Sequence, residues 1–321
     1  MTQGTLLVTD YTFPALDAET TAAERCGLSL DARQCRTEAE VVAGLAEARA
    51  VLVQFAPFGA AAVAALAQPS VIVRYGVGYD NIDVAAARAA GHTVCYVPDY
   101  CSEEVADHTV AALLALLRRL PALDAHVRAG GWKGVEIARP LPPFDRQVVG
   151  FIGLGRIGRA VLDRLRPFGF RFLVADPALT NDEAGRLGVG RAAHECVLGE
   201  ADAVLLHAPS TPQTRDMIDA RALASMKRGA VLVNCARGDL VVEADLAAAL
   251  ADGTLAAAAL DVFRSEPLPD DSPLRTAPNL LLTPHLSWYS DRAIGRLQSL
   301  AAEEVERFFR GEPPRRAVPA A

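Results

Sequence analysis

The stretch VVGFIGLGRIG, residues 148–158, decides what kind of fold this chain has. It opens as an apolar run and then presents G-x-G-x-x-G as Gly153, Gly155 and Gly158. It leads directly into a helical run, RAVLDRLRPFG (159–169). Strand, glycine turn and helix in that order are the context in which this pattern carries meaning. The first glycine permits the tight turn, the second lets the backbone approach a pyrophosphate, and the third lets the helix pack on its strand. The helix N-terminus attracts the anion. The next apolar run, RFLVAD (171–176), ends in Asp176. A carboxylate there accepts hydrogen bonds from ribose hydroxyls and repels a 2′-phosphate, so the reading is NAD(H), with NAD preferred over NADP. Arg171 and Arg191 weigh against that preference if they lie near the ribose.

On both sides of this stretch, short β-branched runs alternate with Ala/Leu-rich helical ones. That alternation predicts an α/β chain with parallel sheets. Before it, TLLVTD, VLVQF, VIVRYG and TVCYVP read as the strands of one small sheet. SEEVADHTVAALLALLRRL (102–120) reads as a long helix, and 121–146, rich in Pro, Gly and Arg, as a connecting arm with little sheet character. After it, VVGFIG, RFLVAD, AVLLHAP, AVLVNC, AAAALDV and NLLLTPH read as a second sheet. The segment from about Tyr289 to Arg310 is helical and lacks sheet partners, so it is assigned to the first domain. The expectation is two Rossmann-like or flavodoxin-like domains with a cleft between them. Residues 1–102 plus 290–321 would form a discontinuous substrate-binding domain, and 103–289 an NAD-binding domain.

Composition narrows the function. The chain has 321 residues, 51% of them hydrophobic, enough for two cores, and a formal net charge of −7. No basic footprint for nucleic acid is present. The uncharged stretch 51–73 is interrupted by Gln54, Pro57, Gly59 and Gln68-Pro69-Ser70, and reads as strand, loop, short helix and strand rather than a membrane span. The N-terminal MTQGTLLVTDYTFP carries no signal-peptide pattern. None of the six cysteines forms C-x-x-C, so no metal site is indicated, and scattered thiols fit a cytoplasmic protein.

The strands of the second sheet end at Gly153, Asp176, His207, Arg237, Asp261 and His285. In a parallel sheet these ends share one edge, where ligands bind. Two of them, Arg237 and His285, suggest a reaction together with Glu266. TPHLSWYS (283–290) follows Asn279-Leu280-Leu281-Leu282, which reads as a buried strand, and it presents His285 beside Trp288 and Tyr289. Arg237 lies in VNCARGDL and Glu266 in LDVFRSEPLP. Hydride transfer to a carbonyl needs an acid for the oxygen and a cation to hold the substrate. Histidine suits the first task, a neighbouring carboxylate favours its charged form, and arginine suits the second. His108 and His126 are assigned no role, and His92 and His194 read as loop residues.

RYGVGYDNID (74–83), VADHTVA (105–111), GFIGLGRIG, VNCARGDLV, ALDVFRSEPLP and TPH together resemble the D-isomer-specific 2-hydroxyacid dehydrogenase family over almost the full chain. The resemblance implies an Arg237–Glu266–His285 active site. His285 would be the acid/base, Glu266 would orient it, and Arg237 would bind the substrate carboxylate and polarise the carbonyl. It implies that Gly76-Val77-Gly78 binds the carboxylate through backbone amides, and that Thr109 and Asp261 face the nicotinamide. Arg156 and Ile157 would contact pyrophosphate, and His207-Ala208-Pro209 the adenosine. Cys235 and Ala236, in the same turn as Arg237, join this cofactor-binding set. It also implies a homodimer built on the 102–120 helix and the arm with Gly130-Gly131-Trp132.

Leu286-Ser287-Trp288-Tyr289, where the family often has small residues, looks most like the branch containing the C-terminal-binding-protein corepressors. There the tryptophan lines the substrate pocket, so Trp288 is assigned to the substrate site with Arg74, Val77 and Gly78, the alternative being that it packs the hinge between domains. Arg74 also resembles an anion-binding position of relatives with phosphorylated or dicarboxylic substrates. The reading is an NAD-dependent enzyme interconverting a 2-oxo acid and a D-2-hydroxy acid. An NAD(H)-sensing corepressor-like protein and a phosphoglycerate- or hydroxypyruvate-type dehydrogenase are the alternatives.

Overall fold

The computed structural model describes residues 4–67 and 69–319, so the Gln68 interruption and the first three residues of the N-terminal stretch lie outside the described residues. The chain divides into two compact units, Met1–Cys101 with Ser290–Ala321, and Ser102–Tyr289.

The first unit is built on five parallel strands, β1 (Thr5–Val8), β2 (Ser29–Ala32), β3 (Ala48–Val53), β4 (Val71–Arg74) and β5 (Thr93–Tyr96), in the order β2-β1-β3-β4-β5. This is the flavodoxin-like order. Its helices are α1 (Asp17–Arg25), α2 (Glu38–Val42), α3 (Ala60–Ala65) and α4 (Val84–Ala89). Apart from Arg49 and Arg74, which are half-buried, β3 and β4 are apolar and buried, as strands covered on both faces must be. The SLDA strand β2 was not among the four sequence-predicted strands. It lies at the sheet edge with both ends exposed, so it needs no apolar run to mark it.

The second unit begins with α5 (Ser102–Leu117), α6 (Leu120–Arg128) and α7 (Gly134–Ala138). The predicted arm is therefore partly helical. The chain breaks after α5 at Arg119, in left-handed geometry at φ 53°, and α6 starts with a proline in its first turn. Then follow β6 (Val148–Ile152), α8 (Arg156–Leu165), β7 (Arg171–Ala175), α9 (Asn181–Leu187), the two-residue β8 (Gly190–Arg191), α10 (His194–Glu200) and β9 (Ala203–Leu206). The unit closes with α11 (Ala220–Ser225), β10 (Ala230–Asn234), α12 (Glu243–Ala251), β11 (Leu255–Leu260) and β12 (Leu280–Leu282). The seven strands are all parallel in the order β12-β11-β10-β9-β6-β7-β8. The strand order reverses between β6 and β9, which puts the ligand crevice of such a sheet at their carboxyl ends. β8 escaped the sequence reading because it is two exposed residues long. His194 opens α10 rather than lying in a loop. The Leu280–Leu282 run is an edge strand whose three leucines are only half-buried, not the buried strand its composition suggested.

α5 packs against α8, and Arg164 of α8 ties the two helices through Glu103 and Asp107, both at 2.5 Å. The chain returns to the first unit as α13 (Asp291–Phe309), which packs on α1 and β4. Ser290 caps it, accepting from the Ala293 amide at 3.0 Å.

β6 is the strand on which the crevice is built, and α10 lies directly over it. A Cβ at Gly150 would come within 2.5 Å of Val197 and 2.9 Å of Ala201. Gly150→Val is expected to destabilise the protein by about 1–3 kcal/mol through overpacking, read from the urea midpoint.

Candidate active site

The glycine turn sits at the carboxyl end of β6. Gly153 has φ +88°, and a Cβ there would meet the His207 carbonyl oxygen at 2.7 Å, so only glycine lets the β6 and β9 ends approach so closely. Gly155 caps α8 and opens onto free space, with nothing within 4 Å of an added Cβ. Gly158 is buried, and a Cβ there would meet the Gly153 carbonyl oxygen at 3.1 Å. Arg156 and Ile157 form the first turn of α8. The open cradle over bare amides at the start of a ten-residue helix fits a dinucleotide pyrophosphate. Asp176 follows β7 and closes the turn, its carboxylate accepting from the Leu154 amide at 2.6 Å and from the Ala178 amide at 2.8 Å. The His207 ring stacks on Phe151 with centroids 6.0 Å apart, and its burial lowers the pKa from 6.5 to about 4. It stays neutral, with Ala208 buried and Pro209 exposed beside it.

The turn after β10 carries Arg237. The fully buried Asn234 holds it, donating to the Arg237 carbonyl at 2.8 Å and accepting from the Ala236 amide at 3.0 Å. The Arg237 guanidinium donates to the Ala236 carbonyl at 2.7 Å. Cys235 is buried and its thiol is pushed up to about 12, chiefly by burial, against a smaller opposing effect from its bond with Thr109. Thr109 is itself buried and donates to the Val105 carbonyl at 2.8 Å.

The next residue, Gly238, was missed by sequence reasoning. A methyl group there would overlap the Phe263 carbonyl, so the glycine is what lets the Arg237 turn lie against the Glu266 turn. Glu266 is fixed from both oxygens, accepting from the Phe263 amide at 2.9 Å through Oε1 and meeting His285 Nδ1 at 2.6 Å through Oε2. The two side chains are 32% and 30% exposed, open enough for a reactant to reach the ring. Burial acts to raise the Glu266 pKa, but the His285 hydrogen bond and charge, the Phe263 amide and the Arg237 charge together outweigh it and lower the pKa.

His285 stands at φ +53°, in the left-handed region. Its amide donates to the Asp261 carbonyl at 2.8 Å, and its carbonyl accepts from the Trp288 indole at 2.8 Å. Trp288 is 9% exposed and meets Tyr289 edge-on, so its polar edge braces the histidine turn. Asp261 is 1% exposed. Its carboxylate points into the same turn, accepting from the Leu286 and Ser287 amides, each at 2.9 Å. Arg237, Glu266, His285, Asp261 and Trp288 thus converge on neighbouring turns of one unit.

In the other unit, Arg74 ends β4 and donates to the Tyr75 carbonyl, with its guanidinium 6.0 Å from the Phe55 ring centroid. Gly76 follows at φ +136°, opening the Gly76-Val77-Gly78 loop, and its carbonyl accepts from the Val97 amide at 3.0 Å. Among the described residues, no group of three or more His, Cys, Asp or Glu could hold a metal ion, and no helix is long and apolar enough to cross a membrane.

The fold and this site define a dinucleotide-dependent oxidoreductase. Residues 110–287 match the family model described as D-isomer specific 2-hydroxyacid dehydrogenase, NAD binding domain. The chain belongs to the D-isomer-specific 2-hydroxyacid dehydrogenase family. It is 40% identical over 246 residues to a glyoxylate reductase of Korarchaeum cryptofilum, covering 76% of this chain and 74% of that protein. It is 39% identical over 279 residues to a D-3-phosphoglycerate dehydrogenase of Mycobacterium bovis, covering 85% of this chain and 51% of that one, about half its length. Among solved structures, D-lactate dehydrogenase from Aquifex aeolicus, complexed with NAD and lactic acid, matches with a TM-score of 0.86 and 27% identity over 96% of each chain.

The lowered Glu266 pKa sets a direction for activity. A depressed carboxyl stays ionised above its ordinary 4.5 and loses its charge only as the pH falls below that value. The Glu266→Gln enzyme should therefore be slower than wild type by a constant factor above that pH, and the gap should narrow below it. Steady-state turnover of both proteins across the acid range reads this out.

Proposed function

We propose that the chain interconverts a 2-oxo acid and a D-2-hydroxy acid, with NAD(H) as the hydride carrier. The observation that carries this reading is the 2.6 Å contact between His285 Nδ1 and the Glu266 carboxylate, next to the Arg237 turn. Glu266 fixes the Nδ1 side of the ring, leaving Nε2 as the atom that hands a proton to the carbonyl oxygen or takes it back. Holding Glu266 ionised keeps the ring oriented as the proton is exchanged. Arg237 binds the substrate carboxylate and polarises the carbonyl, so it acts both before and during the transition state. Bound NAD(H) supplies or accepts the hydride at C2.

Gly153, Gly155, Arg156, Ile157 and Gly158 would hold the pyrophosphate, and His207-Ala208-Pro209 would flank the adenosine. Thr109, Cys235, Ala236 and Asp261 would lie toward the nicotinamide. Asp176 would accept the ribose hydroxyls. Its two oxygens already hold backbone amides, and the negative charge they fix opposes a 2′-phosphate, which supports NAD over NADP. Gly76-Val77-Gly78 of the first unit would receive the substrate carboxylate. The first unit is thus the substrate domain and the second the cofactor domain. The Arg74 engagement with Tyr75 supports a role in bracing that loop, and Trp288 is read as a brace for His285 rather than a pocket wall. Six cysteines, none of them in a disulfide, suit a reducing cytoplasm.

The decisive test is NADH consumption with glyoxylate, hydroxypyruvate, its phosphate ester, phenylpyruvate and 4-methylthio-2-oxobutanoate. His285→Ala should lose at least about a hundredfold in kcat while binding NADH as wild type does. Arg237→Ala should lower kcat and raise KM. Unchanged turnover in His285→Ala removes the histidine from the mechanism.

A homodimer is proposed on the arm. Leu120, Val127, Val135 and Trp132 are all more than half exposed, Trp132 at 84%, an apolar surface on consecutive helices that calls for cover. Trp132→Asp should shift the light-scattering mass from two chains toward one.

A further inference from the structure

A histidine at φ +53° has to be held there, because an L-residue gains nothing from that backbone conformation. The turn that holds His285 is organised by the buried Asp261 carboxylate, which accepts the Leu286 and Ser287 amides and also the Thr283 hydroxyl at 2.5 Å. The network continues one step further. His108 Nε2 lies 3.2 Å from Thr283 Oγ1. A hydroxyl has one proton, and this one is directed to Asp261, so the Thr283 oxygen meets His108 as an acceptor. His108 Nε2 therefore carries a hydrogen and donates it. His108 stands on α5 beside Asp107, which Arg164 anchors to α8 at 2.5 Å. The donor is thus mounted on a helix tied to α8 as well as packed on β10 and β11.

We propose that His108 is a positioning residue for the reaction at His285, acting as an Nε2–H donor that keeps the Thr283 hydroxyl aimed at Asp261. This rests on the reading of His285 as the acid/base. Without the donor, the Thr283 hydroxyl loses one of the two contacts that orient it, and its bond to Asp261 is held less firmly. The 283–287 turn then loosens around a ring whose placement sets the rate. Small displacements of a catalytic group carry large rate penalties.

The test compares His108→Leu, His108→Gln and Thr283→Val, using NADH and whichever 2-oxo acid the wild type reduces fastest. Glutamine carries its amide N–H where histidine carries Nε2–H. His108→Leu should lower kcat about tenfold, leave KM for the oxo acid and the Kd for NADH within about twofold, and His108→Gln should recover most of the loss. Thr283→Val should match His108→Leu, and the double variant should be no slower than Thr283→Val alone, since both act through one bond. Wild-type kcat in His108→Leu overturns the proposal, as does a glutamine variant no better than leucine, which would mean that packing and not donation matters. Unchanged NADH affinity certifies that the variants are folded. A wild-type protein that turns over no 2-oxo acid overturns the functional reading, and this proposal with it. Wild-type turnover unaffected by His108→Leu overturns this proposal alone.

Discussion

The all-parallel pairing of the seven-stranded sheet is the constraint on which the rest depends. Parallel strands send every carboxyl end to the same edge, and the reversal of order between β6 and β9 opens a crevice there. Helices must then cover both faces, which is why β6 and β9 are apolar along their whole length and β10 up to its last residue, Asn234. The polar residues have nowhere to go but the turns at the strand ends. Polar turns and apolar core thereby adjoin, with the fully buried Asn234 at the end of β10 marking the boundary.

At that edge the turns hold one another. Asn234 shapes the Arg237 turn, Gly238 lets that turn lie against Phe263, and the Phe263 amide fixes Glu266. Glu266 fixes one side of His285, while Asp261 and Trp288 fix its backbone. Each residue given a role in the proposed reaction is oriented by a neighbour in its own or an adjoining turn. Such preorganisation is what holds a weak acid at the geometry a transition state requires.

Much of this was legible in the sequence because it follows from periodicity and turn chemistry. The glycine turn, the strand ending in Asp176 and the order of Arg237, Glu266 and His285 are local patterns. What escaped reading was non-local or unmarked. β2 is an edge strand with exposed ends, so nothing in SLDA had to be apolar. Gly238 looks like any loop glycine until Phe263, far along the chain, is brought against it. His108 sits in a helix and its partner Thr283 lies 175 positions away, a pairing no spacing rule reveals. The letters suggest a pocket wall for Trp288, with packing as the alternative, and its bond to the His285 carbonyl is a contact three residues away that depends on a turn invisible in the letters.

The return of the chain as α13 bears on how the protein is made. The first unit keeps Glu19 fully buried, with Tyr75 donating to it at 2.7 Å and Gln298 of α13 at 3.1 Å. Val318 belongs to the same unit's core, and Arg315 pairs with Asp99 at 3.1 Å. A ribosome releases the whole of 102–289 before it supplies Gln298, Arg315 or Val318. The contiguous unit can fold as soon as it emerges, while the unit whose synthesis began first must wait with an unfinished core and an exposed carboxyl. Translation order and folding order are thus reversed for the first hundred residues, and that unit is the one most dependent on the nascent chain staying soluble until its last helix arrives.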